Sequence, residues 1–147
     1  MAMSWKEQVG INHTPAYQVS GRPFASASVE YDTTARVVEL PYVSRWFQVV
    51  NRGASLLRVG FSAAGVVGGK TTAPGDKYYF TVTPSGSVPG QFGKSDIYEM
   101  KVSNIWLYGL TAGTCDVVAG LTTIPRQRTS GSLGLNFSGS GPVAVGV

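Results

Sequence analysis

The chain is poor in the residues from which most active sites are built. Its 147 residues include one histidine, His13, and one cysteine, Cys115, and charged residues make up only 14%. A single cysteine excludes an internal disulfide and the paired-thiolate spacing of a zinc site. The expected state of Cys115 is a buried, inert thiol. A lone histidine near the N-terminus leaves catalytic triads, His-based metal sites and His general bases without a residue on a rigid element to carry them. The eight acids are Glu7, Glu30, Asp32, Glu39, Asp76, Asp96, Glu99 and Asp116. Two-carboxylate glycoside chemistry needs a pair of acids across a cleft, for example Glu30 or Glu39 with Glu99. Solvated strand residues are the simpler expectation for all three. No catalytic, cofactor-binding or metal-ligating residue is assigned, and neither an enzyme activity nor a cofactor is expected.

Other absences narrow the partners. The net charge is +4, but Arg22, Arg36, Arg45, Arg52, Arg58, Lys70, Lys77, Lys94 and Lys101 are spread singly. No basic cluster tracks a phosphate backbone, so no specific nucleic-acid partner is expected. No run approaches the roughly 18 apolar residues of a membrane span, and residues 1–8 lack the apolar core of a signal peptide. A reducing compartment is the expected place of folding. Asn12-His13-Thr14 and Asn136-Phe137-Ser138 match the glycosylation sequon, which has little weight without a secretion signal.

What the chain does hold is turn chemistry between short apolar runs, with 19 glycines and 43% hydrophobic residues. Residues 37–62, VVELPYVSRWFQVVNRGASLLRVGFS, contain three runs rich in β-branched and aromatic residues, broken by Pro41-Tyr42 and by the loop 51–55. That is a β-meander. Along it Trp46, Gln48 and Val50 fall on one face and Arg45, Phe47, Val49 and Asn51 on the other. A strand apolar on both faces suits a two-sheet sandwich or a subunit contact.

Strands are predicted at 24–31, 35–40, 46–51, 56–61, 78–82, 96–102, 105–108 and 115–123, with no helix. The first would turn Phe24, Ser26, Ser28 and Glu30 outward and Ala25, Ala27, Val29 and Tyr31 inward. In the fourth, Leu57, Val59 and Phe61 face in and Arg58 out. Residues 63–76 read as a long Gly-rich loop. Within it Gly69-Lys70-Thr71 superficially follows the phosphate-loop pattern, but Ala64 stands where the first glycine is needed, so this reads as a plain loop. Eight strands bounded by Gly, Pro, Asn and Ser predict an all-β fold, an eight-stranded antiparallel β-sandwich or jelly roll.

Three parts follow: an extended N-terminal arm at 1–23, the sandwich domain at 24–124, and a Gly/Ser-rich C-terminal tail or arm at 125–147. In the tail Leu133, Leu135 and Phe137, and again Val143, Val145 and Val147, alternate with small or polar residues. Two readings stay open, a solvated linker and a strand-forming arm that pairs with a neighbour's sheet edge. Either way, removal of 125–147 is expected to spare the domain's stability and weaken assembly. Trp46, Trp106, Tyr78, Tyr79, Tyr98 and Tyr108 would make a sugar- or base-stacking platform if they shared an exposed face. Filling of the core and of subunit interfaces is the expected role instead.

Residues 41–51, PYVSRWFQVVN, then 57–62, LRVGFS, then 79–82, YFTV, and 98–102, YEMKV, together with the upstream 15–21, PAYQVSG, give the chain a family likeness. It resembles the small single jelly-roll capsid proteins of large icosahedral double-stranded DNA viruses of algae and protists, most of all their penton protein. The likeness spans residues 15–124. It implies a single jelly roll and a non-enzymatic virion structural protein, made in the host cytoplasm, whose pentamers close icosahedral vertices. The implied partners are further copies of the chain and the major and minor capsid proteins of the same virion, with contact to an inner membrane left open. A carbohydrate-binding β-sandwich module and a phage head-decoration or fibre-associated protein are the competing readings.

Overall fold

The computed structural model describes residues 10–12, 14, 21–68, 78–86, 93–131 and 134–136. Within these, the chain runs through strands β1 (Arg22–Tyr31), β2 (Arg36–Glu39), β3 (Tyr42–Asn51) and β4 (Leu57–Gly60), then a short helix α1 (Ala63–Val67). Strands β5 (Tyr79–Val82), β6 (Gly93–Lys94), β7 (Asn104–Gly109) and β8 (Gly113–Pro125) follow, and a 3₁₀ turn covers Arg126–Thr129. The strands form two four-stranded antiparallel sheets, ordered β1-β8-β3-β6 and β2-β7-β4-β5. The molecule is an all-β sandwich.

Strand pairing is nested. β4 pairs with β5, β3 with β6, β2 with β7 and β1 with β8. Leu57, Val59, Ile105, Leu107, Phe47, Val49 and Val117 are fully buried between the sheets. At one end four aromatic rings bridge the layers: Phe47 meets Phe61 edge-on at 6.1 Å and Tyr98 at 5.6 Å, and Tyr98 meets Phe80 at 4.8 Å. Aromatic pairs at these separations add to the burial of their area.

Bulges account for the imperfect sidedness of the sequence. In β1 the register shifts between Ser26 and Val29, where Ser28 takes φ +56° and its amide donates to Asp116 Oδ1 at 2.9 Å. The bulge swaps the faces, so Phe24 packs against the core on one side of it and Val29 and Tyr31 on the other. The expectation that Phe24 faces outward is therefore corrected: one extra residue reverses the period-2 pattern. In β3, shifts at Tyr42/Ser44 and Ser44/Trp46 leave both Val43 and Ser44 buried, and regular alternation begins only at Trp46.

Two expected elements differ. No strand forms at 96–102; the strand is the short β6 at Gly93–Lys94, and the following residues track β3 irregularly. Tyr98 forms a single bridge to Phe47, while Ser95 Oγ accepts from the Val49 amide at 2.9 Å and Ser44 Oγ donates to Met100 O at 2.6 Å. Serine hydroxyls share the pairing with isolated backbone bonds at Ser95, Tyr98 and Val102, and Ile97, 61% exposed, buries no apolar face. The second difference is α1, where a loop was expected. Ser62 caps it by accepting from the Gly65 amide at 3.0 Å, and the bare backbone of Gly60 lets Val66 pack with no exposure. The hydroxyl satisfies one of the helix's orphan amides.

Beyond residue 124 the chain still belongs to the sandwich. β8 runs to Pro125, Thr129 is buried, and Asn136 is 2% exposed. Asn136 Oδ1 accepts from the Ser103 amide at 2.6 Å and the Asn104 amide at 3.0 Å, and Nδ2 donates to Phe61 O at 3.1 Å and to Asn104 O. The pattern at 143–147 and most of the arm, His13 included, lie outside the described residues.

Candidate interaction surfaces

The sandwich leaves two outer faces, and their residues follow from register. On the first sheet, cross-strand rows place Trp46 beside Gly120 and Pro23, and Gln48 beside Val118 and Ala25. A Cβ on Gly120 would sit 2.2 Å from Trp46 Nε1. The indole therefore lies directly over bare backbone, half-buried; Pro23, Ala25 and Val118 keep the face beside it small and apolar, with Gln48 next along β3 and the charged Lys94 and Asp116 in the row beyond. At the margin of this face Arg52 Nε pairs with Asp116 Oδ2 at 2.5 Å. Burial raises the Asp116 pKa, but the Ser28 amide and the Arg52 guanidinium outweigh it and the net shift is downward.

On the second sheet, Gly60 lies between Trp106 and Tyr79, and Arg58 between Tyr108 and Thr81. The Arg58 guanidinium stacks 4.6 Å from the Tyr79 ring centroid and 5.1 Å from that of Tyr108, and its Nη1 donates to Val67 O at 2.7 Å. Arg58 points out as expected, but it is held by cation–π contacts and by the C-terminal carbonyl of α1. Of the six aromatics considered for a platform, Trp106, Tyr108 and Tyr79 share this face. Trp46 is on the opposite sheet, Tyr98 packs in the core cluster, and Tyr78 lies just before β5, 46% exposed.

Neither Glu30 nor Glu39 converges with Glu99. Glu30 lines a shallow cavity of about 390 Å³ with Asp32, Gly113 and Thr114 at the β1–β8 end. Glu99 lines a separate one with Arg45, Met100 and Lys101, and Glu39 sits 3.6 Å from Arg126 on the other sheet. Asp32 is occupied by the Arg36 guanidinium at 2.6 Å and by Thr34, which hold its carboxyl well below the ordinary range. Among the described residues no group of three or more His, Cys, Asp or Glu is placed to hold a metal. Cys115 is fully buried, and burial followed by the neighbouring Asp116 charge pushes its thiol up to about 12.

Two of the exposed apolar side chains meet at a loop end. Leu56 is 46% and Leu110 61% exposed, and their neighbours Leu57 and Gly109 are paired in register, so the two mark one tip of the sandwich. Thr111 Oγ1 donates to Ser55 Oγ at 2.8 Å and ties the two loops together there. The sequence carries no local sign of this tip, or of the Arg58 stack, because both bring together residues from strands distant in the chain.

No protein-family model, curated protein or solved structure matches the chain. Among the described residues no helix is long and apolar enough to cross a membrane.

Proposed function

We propose that the chain is a non-enzymatic virion structural protein, a penton-like capsid subunit that assembles into pentamers at icosahedral vertices. The observation that carries this reading is the strand order. Strands that pair as nested hairpins, β4·β5 innermost and β1·β8 outermost, and divide as β1-β8-β3-β6 over β2-β7-β4-β5, support the reading of the sandwich as a single jelly roll. Jelly rolls recur in viral capsid domains, and also in lectins and cupins.

The surface supports the same choice. A closed ring uses two different patches on each subunit, and the sandwich offers the small-residue face around Trp46 and the Leu56/Leu110 tip. The scarcity of charge fits surface that meets protein. In this reading the subunit is made in the host cytoplasm and resides in the virion, against major and minor capsid proteins. Native mass measurement and electron microscopy of the purified full chain test it. Five-fold rings are expected, and a species that stays monomeric at every concentration overturns the proposal.

A carbohydrate-binding module is the second reading, favoured by Trp106, Tyr108 and Tyr79 on one outer face. It requires glycan-array binding that Trp106→Ala abolishes with the fold intact. The Arg58 guanidinium against both tyrosine rings argues for the structural use of that face.

A further inference from the structure

We propose that the outer edge of β1 receives residues 142–147 of a second copy as an added antiparallel strand. The inference rests on the assembly reading above and names the contact through which copies join. β1 is an end strand of ten residues, and among the described residues nothing pairs along its outer edge. The other end strands have two or four residues. An end strand presents unpaired amides and carbonyls, a template for another chain. β1 also lacks the lysine and the central proline that commonly block such pairing, with Pro23 only at its start, and its bulge between Ser26 and Val29 leaves Arg22–Ser26 as the regular stretch around which the added strand would centre.

Side chains on both faces of this edge suit one kind of strand. On the core side Phe24 packs against the core but is only half-buried, so the sandwich is open at the Phe24 end of β1, while Tyr31 closes the other end. On the outer side Ala25 is exposed and small. The segment 142–147 reads Pro-Val-Ala-Val-Gly-Val. As a strand it turns Val143, Val145 and Val147 to one face, to cover the flank of Phe24, and Ala144 and Gly146 to the other, to extend the small-residue face of Ala25.

A second copy is favoured over the chain's own tail by direction. Asn136 is pinned to Asn104 and Phe61, and Arg126 to Asn104, at the end of the sandwich where β8 finishes and β1 begins. A tail leaving that point along its own β1 runs parallel to it, whereas every described strand pair is antiparallel. A neighbour's tail can enter from the far end in the antiparallel sense, which is also the slightly more stable pairing. The N-terminal stretch does not compete at residue 11, since Lys101 Nζ donates to Ile11 O at 2.7 Å, on the side of β3 away from β1.

The test mixes two full-length variants, Ala25→Cys and Ala144→Cys, and treats the mixture with a short bismaleimide, which bridges directly opposed and diagonal cross-strand positions alike. Cys115 is fully buried and does not contribute. Dimers containing one copy of each variant are expected, at a yield that Val145→Pro lowers about tenfold by removing a ladder amide, with the melting temperature unchanged. Absence of the mixed dimer while five-fold rings still form overturns this inference and spares the capsid reading. Mixed dimers without rings keep the strand addition and overturn the pentamer. Cross-linking only within one chain of an Ala25→Cys/Ala144→Cys double variant also overturns the inference, since the tail then pairs with its own β1.

Discussion

At the scale of single residues, Asn136 holds the most structure for its size. Its carboxamide satisfies the amides of Ser103 and Asn104 and the carbonyls of Phe61 and Asn104, and its φ of +60° is a backbone region that asparagine tolerates better than most. Asn136→Ala leaves buried groups unsatisfied and is expected to cost about 3 kcal/mol in urea unfolding. Asn136→Gly, which relieves the backbone but not the hydrogen bonds, should recover only a minor part. Cys115 supplies a pH dependence. Its thiol stays protonated in the fold up to about 12 while the unfolded thiol ionises near 9.0, so the native state binds more protons between these values. Stability contributed by the protonated thiol is therefore present below pH 9 and is lost as pH rises toward 12. Denaturation midpoints measured from pH 8 to 10.5 should fall with a slope that Cys115→Ala reduces, and a maleimide should label Cys115 only after unfolding.

At the scale of elements, the bulges in β1 and β3 decide which side chains reach the core. Ser28 is a non-glycine residue at φ +56°, and Ser28→Gly is expected to raise stability by about 0.5–1 kcal/mol, read as a shift in the urea midpoint. Loss of the bulge, by deleting Ser28, would instead turn Phe24 or Tyr31 away from the core. Across the same sheet Gly120 and Trp46 act as a pair. Gly120→Ala forces the indole off the sheet, because the new methyl would lie 2.2 Å from Nε1. The expected cost is about 1–3 kcal/mol with a red shift of tryptophan emission, and a smaller cost in a Trp46→Ala background. Short apolar runs bounded by turn residues made most strands legible in the sequence. The segment 96–102 misled because Tyr98, Met100 and Val102 do alternate in the sequence, while its backbone bonds to β3 are isolated and the Ser44 and Ser95 hydroxyls take part of the pairing.

At the scale of the whole molecule, the boundary of the folded unit is set by tertiary bonds and not by composition. The Gly/Ser-rich character begins near residue 130, yet Thr129 and Asn136 are buried against Ser103. Removal of 125–147 is therefore expected to lower the melting temperature sharply, contrary to the expectation drawn from composition, while removal of 141–147 should leave it unchanged. Thermal scans of the two truncations decide this. If the strand addition at β1 holds, the shorter deletion also lowers ring yield, which separates a stabilising role of the segment around Asn136 from an assembling role of the segment beyond it.

The all-β class, the position of most strands and the lack of material for His- or Cys-based chemistry were determined by the sequence alone, because apolar periodicity, turn residues and residue counts are local or additive properties. The candidate surfaces were not legible in this way. Whether Trp46, Trp106, Tyr79 and Tyr108 lie inside or outside, what holds Arg58, and where the sandwich ends depend on which strands become neighbours. Partners such as Arg58 and Tyr108, or Asn136 and Phe61, lie 50 and 75 positions apart and meet only through sheet order and register. That order, β1-β8-β3-β6 over β2-β7-β4-β5, was decided by tertiary packing, since a strand buried on one face tolerates many neighbours until the opposing sheet closes on it.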